Sequence, residues 1–289
     1  MFVDAHHHLW DLSKVDYPWL MERGATRFFG DPTPIQRNYL LDEHISQLEQ
    51  YKFNTSIHVQ VGALDAWQES KWVDQIAANS EKWNLVQVAF CDLAAPDFLD
   101  QINKLSKLTS VRGVRQIVGR AEKEDAQTGT NNLVNDPKFL DGLKYISELG
   151  LTFDLQLTPS LYHEISILLE KVPDLKVVVC HCGSPQERSD EYIEVWAESL
   201  LKLSKRENTY CKISGLGMFD NDWTADSIEP IIRHCLDQFG PTRLMFGSNF
   251  PVDSLYSSFS KLYLEISNII PKKYHKRIFA ENCRRFYKI

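Results

Sequence analysis

Leu175-Lys176-Val177-Val178-Val179-Cys180-His181 is a short apolar run that ends on a histidine. Three successive valines favour extended backbone, because β-branched side chains pack well on a pleated surface. The run reads as a strand. The segments on either side, Pro159–Val172 and Glu187–Lys205, read as helices. The same alternation continues in both directions. Toward the N-terminus it gives strands that open at Phe2-Val3 and run over Asn54–Val61, Leu85–Phe90, Val111–Val118 and Leu151–Leu157. Toward the C-terminus it gives Thr209–Ser214 and Arg243–Gly247. Helical patterns lie between them at Leu40–Tyr51, Ala66–Glu81, Pro96–Leu108, Asp136–Leu149 and Asp226–Phe239, and two more close the chain at Ser254–Ile270 and Lys273–Phe286. Asp136 is a plausible N-cap ahead of Pro137, and Gly150 a plausible stop. Strands alternating with helices predict a parallel sheet. Eight such units in 289 residues predict a (β/α)8 TIM barrel. An open doubly wound sheet is the alternative, but no G-x-G-x-x-G follows the first strand. No linker or break in composition divides residues 1–289, which read as a single domain.

Composition narrows the function. The chain is 43% hydrophobic and 25% charged, ordinary for a globular protein. With 32 basic and 39 acidic residues it carries a formal charge of −7. That balance, without a Lys/Arg run, argues against nucleic acid or an anionic membrane as partner. No apolar run approaches a membrane span. The start Met1-Phe2-Val3-Asp4 lacks a basic and apolar leader, and the 6 cysteines form no disulfide framework, so a cytoplasmic protein with reduced thiols is expected.

In such a barrel the chemistry sits at the C-terminal ends of the strands. The first strand ends in Val3-Asp4-Ala5-His6-His7-His8-Leu9-Trp10. Strict alternation places Asp4, His6 and His8 on one face and His7 on the other. Two imidazoles at i and i+2 can converge on one cation. The remaining strand ends contribute His58 and Gln60, Arg115 and Gln116, Asp154 and Gln156, His181, Lys212 and Ser214, and finally Ser248, Asn249 and Asp253. Such groups are costly to bury without partners, so a ring of them around one barrel mouth points to a polar site. Cys180 and Cys182 flank His181. Cys-x-Cys is a weak zinc signal, and both read as small buried thiols. Two loops, Asp11–Tyr39 and Gly119–Asn135, shape the pocket.

These residues resemble the amidohydrolase superfamily, in its amidohydrolase-2 branch, and within it the sugar-lactonase and aromatic-lactone hydrolase group. The matching stretches are Asp4–Trp10 with Tyr17-Pro18-Trp19-Leu20, Val111–Arg115, Phe153-Asp154, His181–Pro185, Lys212–Leu216, Met245–Val252 and Asn282–Tyr287. The resemblance implies a barrel hydrolase that cleaves a small cyclic ester, a sugar-acid or aromatic-acid lactone. It implies catalytic roles for His6, His8, His181 and the Asn249 position; with an amide there, Asp253, Asp154 or a histidine must take the proton, and the strand-end residues Arg115, Asp154, Lys212 and His58 are the expected substrate contacts. It also implies a divalent metal, zinc first, on His6, His8 and His181, although some lactonases of this group resemble metal-independent enzymes. An anionic or carbohydrate-derived small molecule is the expected partner. Two features depart from the family pattern. Asn249 stands where many members have the general-base aspartate, and an amide has no lone pair basic enough for that task. Gln116 stands where relatives often have histidine. The departures keep two other readings open: a vestigial ligand-binding barrel, and a metal-dependent decarboxylase of the wider branch.

Overall fold

The computed structural model describes residues 1–120 and 129–289. Part of the Gly119–Asn135 loop therefore lies outside the described residues. Eight strands form one parallel sheet in sequence order. They are β1 Phe2–His7, β2 Phe53–Val59, β3 Asn84–Phe90, β4 Val111–Arg115, β5 Thr152–Leu155, β6 Val177–Val179, β7 Thr209–Ile213 and β8 Leu244–Phe246. The sheet curls back on itself. Beyond β8, Asn249 N donates to His6 O at 2.7 Å and His8 N donates to Phe250 O at 2.8 Å. This is the expected (β/α)8 barrel. The strands are shorter than the sequence suggests, because their apolar runs continue into the loops that build the mouth.

Each strand is followed by a helix: α1 Leu41–Leu48, α2 Ala66–Asn79, α3 Phe98–Leu105, α4 Pro137–Glu148, α5 Tyr162–Glu170, α6 Asp190–Ser204, α7 Ala225–Phe239 and α8 Phe259–Ile269. A final helix, α9 Asn282–Tyr287, follows a π-helical turn at Arg277–Glu281. Several helices start on side-chain caps that satisfy otherwise unpaired N–H groups. Asp136 accepts from Lys138 N, Asp65 from Trp67 N and Gln68 N, and Thr224 with Ser227 forms a capping box. The Asp11–Tyr39 loop is packed rather than loose: Tyr17, Leu20 and Ile35 are buried in the main core.

Two apolar layers result. The larger lies between sheet and helices. The smaller fills the barrel with Val3, Ala5, Ile57, Val59, Val86, Val88, Val178 and Met245. Cys283, Phe286 and Tyr287 of α9 join the inner layer. They sit near the N-terminal ends of β1 and β2, where Arg284 donates to Met1 O at 3.5 Å and Asn54 Oδ1 at 3.3 Å.

Strict alternation fails on β1. Asp4 is in register with Ser56 and His7 with His58, so three steps on β1 oppose two on β2. The extra residue is a bulge. Val3 and Ala5 face inward. His7 faces outward, its ring stacked on His44 of α1 at 3.9 Å and 14°. Beyond the bulge His8 reaches the mouth, and His6 lies fully buried against it, ring centroids 5.1 Å apart. Asp4, expected beside them, is instead turned to the outer layer. Its Oδ2 lies 3.4 Å from His44 Nε2, and its two oxygens accept from Ser248 N and Ser248 Oγ at 2.8 and 2.6 Å.

Candidate active site

The mouth holds a cavity of about 810 Å³. His8, Gln60, Arg115, Gln116, Gln156, His181 and Asn249 line its floor, and Trp19, Phe28, Phe29 and Phe90 form much of its apolar wall. The aromatic wall comes largely from the Asp11–Tyr39 loop. Arg27 donates to Trp19 O at 3.1 Å, and the Tyr256 hydroxyl donates to Phe29 O, which holds that loop over the barrel.

His6 and His181 approach with ring centroids 4.5 Å apart, and His6 and His8 at 5.1 Å. Two glycines make this approach possible. A Cβ on Gly247 would lie 2.6 Å from the His6 Cβ, and one on Gly215, at φ +65°, would lie 2.4 Å from His181 Nδ1. His181 and Asn249 themselves adopt positive φ, 54° and 56°. Non-glycine residues rarely hold that conformation outside over-determined sites.

Two of the three rings are locked by their outer nitrogens. His8 Nδ1 donates to Val59 O at 2.7 Å, and His181 Nδ1 pairs with Ser214 Oγ at 3.0 Å. Their Nε2 atoms are thereby presented to the site. Among the described residues, His6 has no hydrogen-bond partner on either buried nitrogen. Burial lowers the pKa of all three well below the usual histidine value. Lys212 adds to this for His6, and Arg115 for His8 and His181. The rings are neutral at pH 7, the form that binds metal. The orphaned nitrogens of His6 and the anchored outer nitrogens of the other two suit a divalent cation. Such an ion would supply Lewis acidity and lower the pKa of water.

His8 Nε2 lies 3.3 Å from Asn249 Oδ1, and Asn249 Nδ2 donates to Asp253 Oδ1 at 3.0 Å. Asp253 is buried, and burial raises its pKa to about 7. The proton count along this chain is constrained. A neutral His8 has a lone pair at Nε2, since Nδ1 carries the proton given to Val59. The amide then satisfies both neighbours only if its NH2 group faces His8 and its oxygen faces a protonated Asp253. With the amide turned the other way, Asp253 is ionised and Nε2 needs a proton. Asn249 therefore couples a carboxyl group to the catalytic face of His8.

Of the other expected residues, Arg115 reaches the cavity. It is buried and held by donation to Gln60 O and to Gln156 Oε1, the latter at 2.9 Å. His58 does not reach it. It pairs with His7 on the outer face, where its Nδ1 accepts from Leu9 N at 3.0 Å and its Nε2 lies 3.5 Å from Glu69 Oε1. The side chains of Asp154 and Lys212 lie below the cavity, fully buried and paired with each other at 2.5 Å. None of these three side chains lines the cavity. Tyr287, matched in the sequence only as part of the Asn282–Tyr287 stretch and given no role there, donates to Asp154 Oδ1 and Oδ2 at 2.8 and 3.0 Å. Its place far from any strand end gave no hint that it would meet Asp154. Cys180 and Cys182 are both buried but divided, Cys182 packing in the outer core.

A parallel barrel with histidines from strands one and six converging over a pocket at the C-terminal strand ends is the layout of a (β/α)8 enzyme. The chain belongs to the amidohydrolase family, whose model, described as Amidohydrolase, matches residues 3–289. The uncharacterized protein y4mH of Sinorhizobium fredii is 30% identical over 99% of this chain and 98% of its own length. An L-fucono-1,5-lactonase of Burkholderia multivorans is 26% identical, covering 96% of this chain and 90% of its own. A crystal structure of a Burkholderia multivorans amidohydrolase with bound zinc superposes with a TM-score of 0.84 at 22% identity, covering 100% of this chain and 99% of the other.

Proposed function

We propose that this chain is a hydrolase of small lactones, with a sugar-acid lactone as the first substrate class. The observation that carries the reading is the linked set His8, Asn249 and Asp253 beside His6 and His181, opening onto a cavity that also holds the Arg115 guanidinium. The lactonase relative points the same way. Ester hydrolysis needs a base for water, a proton for the leaving alkoxide and a positive group for the developing oxyanion. Asp253, linked to His8 through Asn249, exchanges the proton. Asp253 thereby supplies the carboxyl function that Asn249 itself lacks, four residues further along the chain. Arg115 faces the carbonyl or a carboxylate of the substrate. His6, His8 and His181 are the residues that would hold a single divalent ion, zinc first. Trp19 and Phe28 cover the apolar face of the ring.

The reading is tested by a panel of sugar-acid and aromatic-acid lactones with metal-replete protein, followed by acid release against a pH indicator. Turnover of at least one lactone well above the buffer rate is expected. Failure on the whole panel counts against the proposal.

A further inference from the structure

Beneath the candidate site, the ligating atoms of His6, Asp154 and Cys180 lie within 4.8 Å of one another, all fully buried. An imidazole, a carboxylate and a thiol form a donor set that suits a zinc-like ion. Both nitrogens of His6 are buried and unpartnered, so the group includes a side chain with capacity to spare. Asp154, however, already faces a cation. Lys212 Nζ lies 2.5 Å from its Oδ2, with neither side chain exposed. The Tyr287 hydroxyl donates to both carboxylate oxygens, and the Lys212 ammonium lies 5.4 Å from the centre of the Tyr287 ring.

We propose that Lys212 is the built-in cation of this inner pocket: its ammonium takes the place of a divalent ion beside Asp154 and Cys180, and so leaves the shared His6 to the outer site with His8 and His181. Charge balance supports this. Ammonium and carboxylate sum to zero inside the barrel. A divalent ion with the Asp154 carboxylate and a Cys180 thiolate, its proton released to solvent, also sums to zero. The ion and the ammonium together leave one positive charge in a buried space, which is strongly disfavoured. The two cations therefore exclude each other. Removing the lysine uncovers a thiolate-containing metal site that the wild-type chain keeps closed.

The inference concerns metal content and is read without substrate, so it fails or stands independently of the lactone proposal. Wild-type protein, Lys212→Met and Lys212→Gln are loaded with Co2+ as full-length chains. Ions per chain are counted by elemental analysis, and thiolate-to-cobalt charge transfer is read in the near ultraviolet. The wild type is expected to show no thiolate band. The variants are expected to show one, at an ion count per chain no lower than that of the wild type, and the band should vanish when Cys180→Ser is added. Lys212→Gln keeps a donor toward Asp154 without the charge, in case Lys212→Met alone folds poorly. A variant that folds only with cobalt present supports the inference. A thiolate band in the wild type overturns it. So do folded variants without the band, or variants that stay unfolded with cobalt present.

Discussion

Asp253 is the residue on which the proposed chemistry turns. It contacts the amide of Asn249, which in turn faces His8 Nε2. Asp253→Asn keeps the shape and removes the titrating group. The expected result is a fall in kcat of about 100-fold or more, the usual size of a lost general-base contribution, with KM changed far less. The feature of the pH–rate profile near 7 should disappear with it, since that is where burial places the carboxyl group. An unchanged profile would remove Asp253 from the mechanism. Asn249→Asp is expected to harm the protein, not improve it, because it sets a second carboxylate 3.0 Å from the first. Activity that appears only in that variant would favour a vestigial barrel. Gly215 belongs to the same scale. Gly215→Ala combines φ +65° with a contact at 2.4 Å to His181. It should cost about 1–2 kcal/mol from the backbone alone, with further loss from displacing the ring. Urea denaturation measures the first effect, and metal retention the second.

Among the elements, β1 and α9 carry the most consequence for the site. The position of each histidine at a strand end was legible from the sequence, because apolar runs that stop on a polar residue identify the barrel mouth. The facing of those side chains was only partly legible. Alternation correctly sends His7 away from His6 and His8, yet it also groups Asp4 with them. The one-residue bulge that separates Asp4 depends on pairing with β2, which the β1 sequence does not encode locally. His58 was misplaced for a similar reason: it shares its register with the outward-facing His7. The role of α9 was invisible, since its Tyr287 meets Asp154 only after the chain has closed on itself. Tyr287→Phe deletes the hydroxyl that donates to both oxygens of Asp154. It should destabilise the protein by about 1–3 kcal/mol, the cost of leaving a buried acceptor short of its partner. A urea midpoint equal to that of the wild type would show that Lys212 alone satisfies the carboxylate.

At the scale of the whole molecule, the architecture was read from the strand–helix alternation, and composition correctly anticipated that no described helix is long and apolar enough to cross a membrane. What composition could not show is how much titratable chemistry the barrel buries, and that sets the response of the protein to acid. The pKa values of His6, His7, His8 and His181 lie well below 6.5 in the native state, and burial takes His44 to about 3. The unfolded chain takes up protons on these rings below about pH 6.5, while the native chain does not. Stability rises with pH wherever the unfolded state binds more protons than the native state, so this contribution is present above about pH 6.5 and is lost as pH falls. Asp4 and Asp253 act in the opposite sense. Their native pKa values of about 6 and about 7 exceed the ordinary 3.8, so their contribution is present at low pH and declines as pH rises through that interval. The histidines outnumber the carboxyl groups, and the net effect between pH 6.5 and 4 is destabilisation by acid. Urea unfolding of chelator-dialysed protein at pH 8, 6.5 and 5 should therefore give midpoints that change little over the first interval and fall steeply over the second. A midpoint at pH 5 equal to or above that at pH 8 would mean that the buried histidines are charged in the native barrel, and the neutral-ligand account of the site would fall with it.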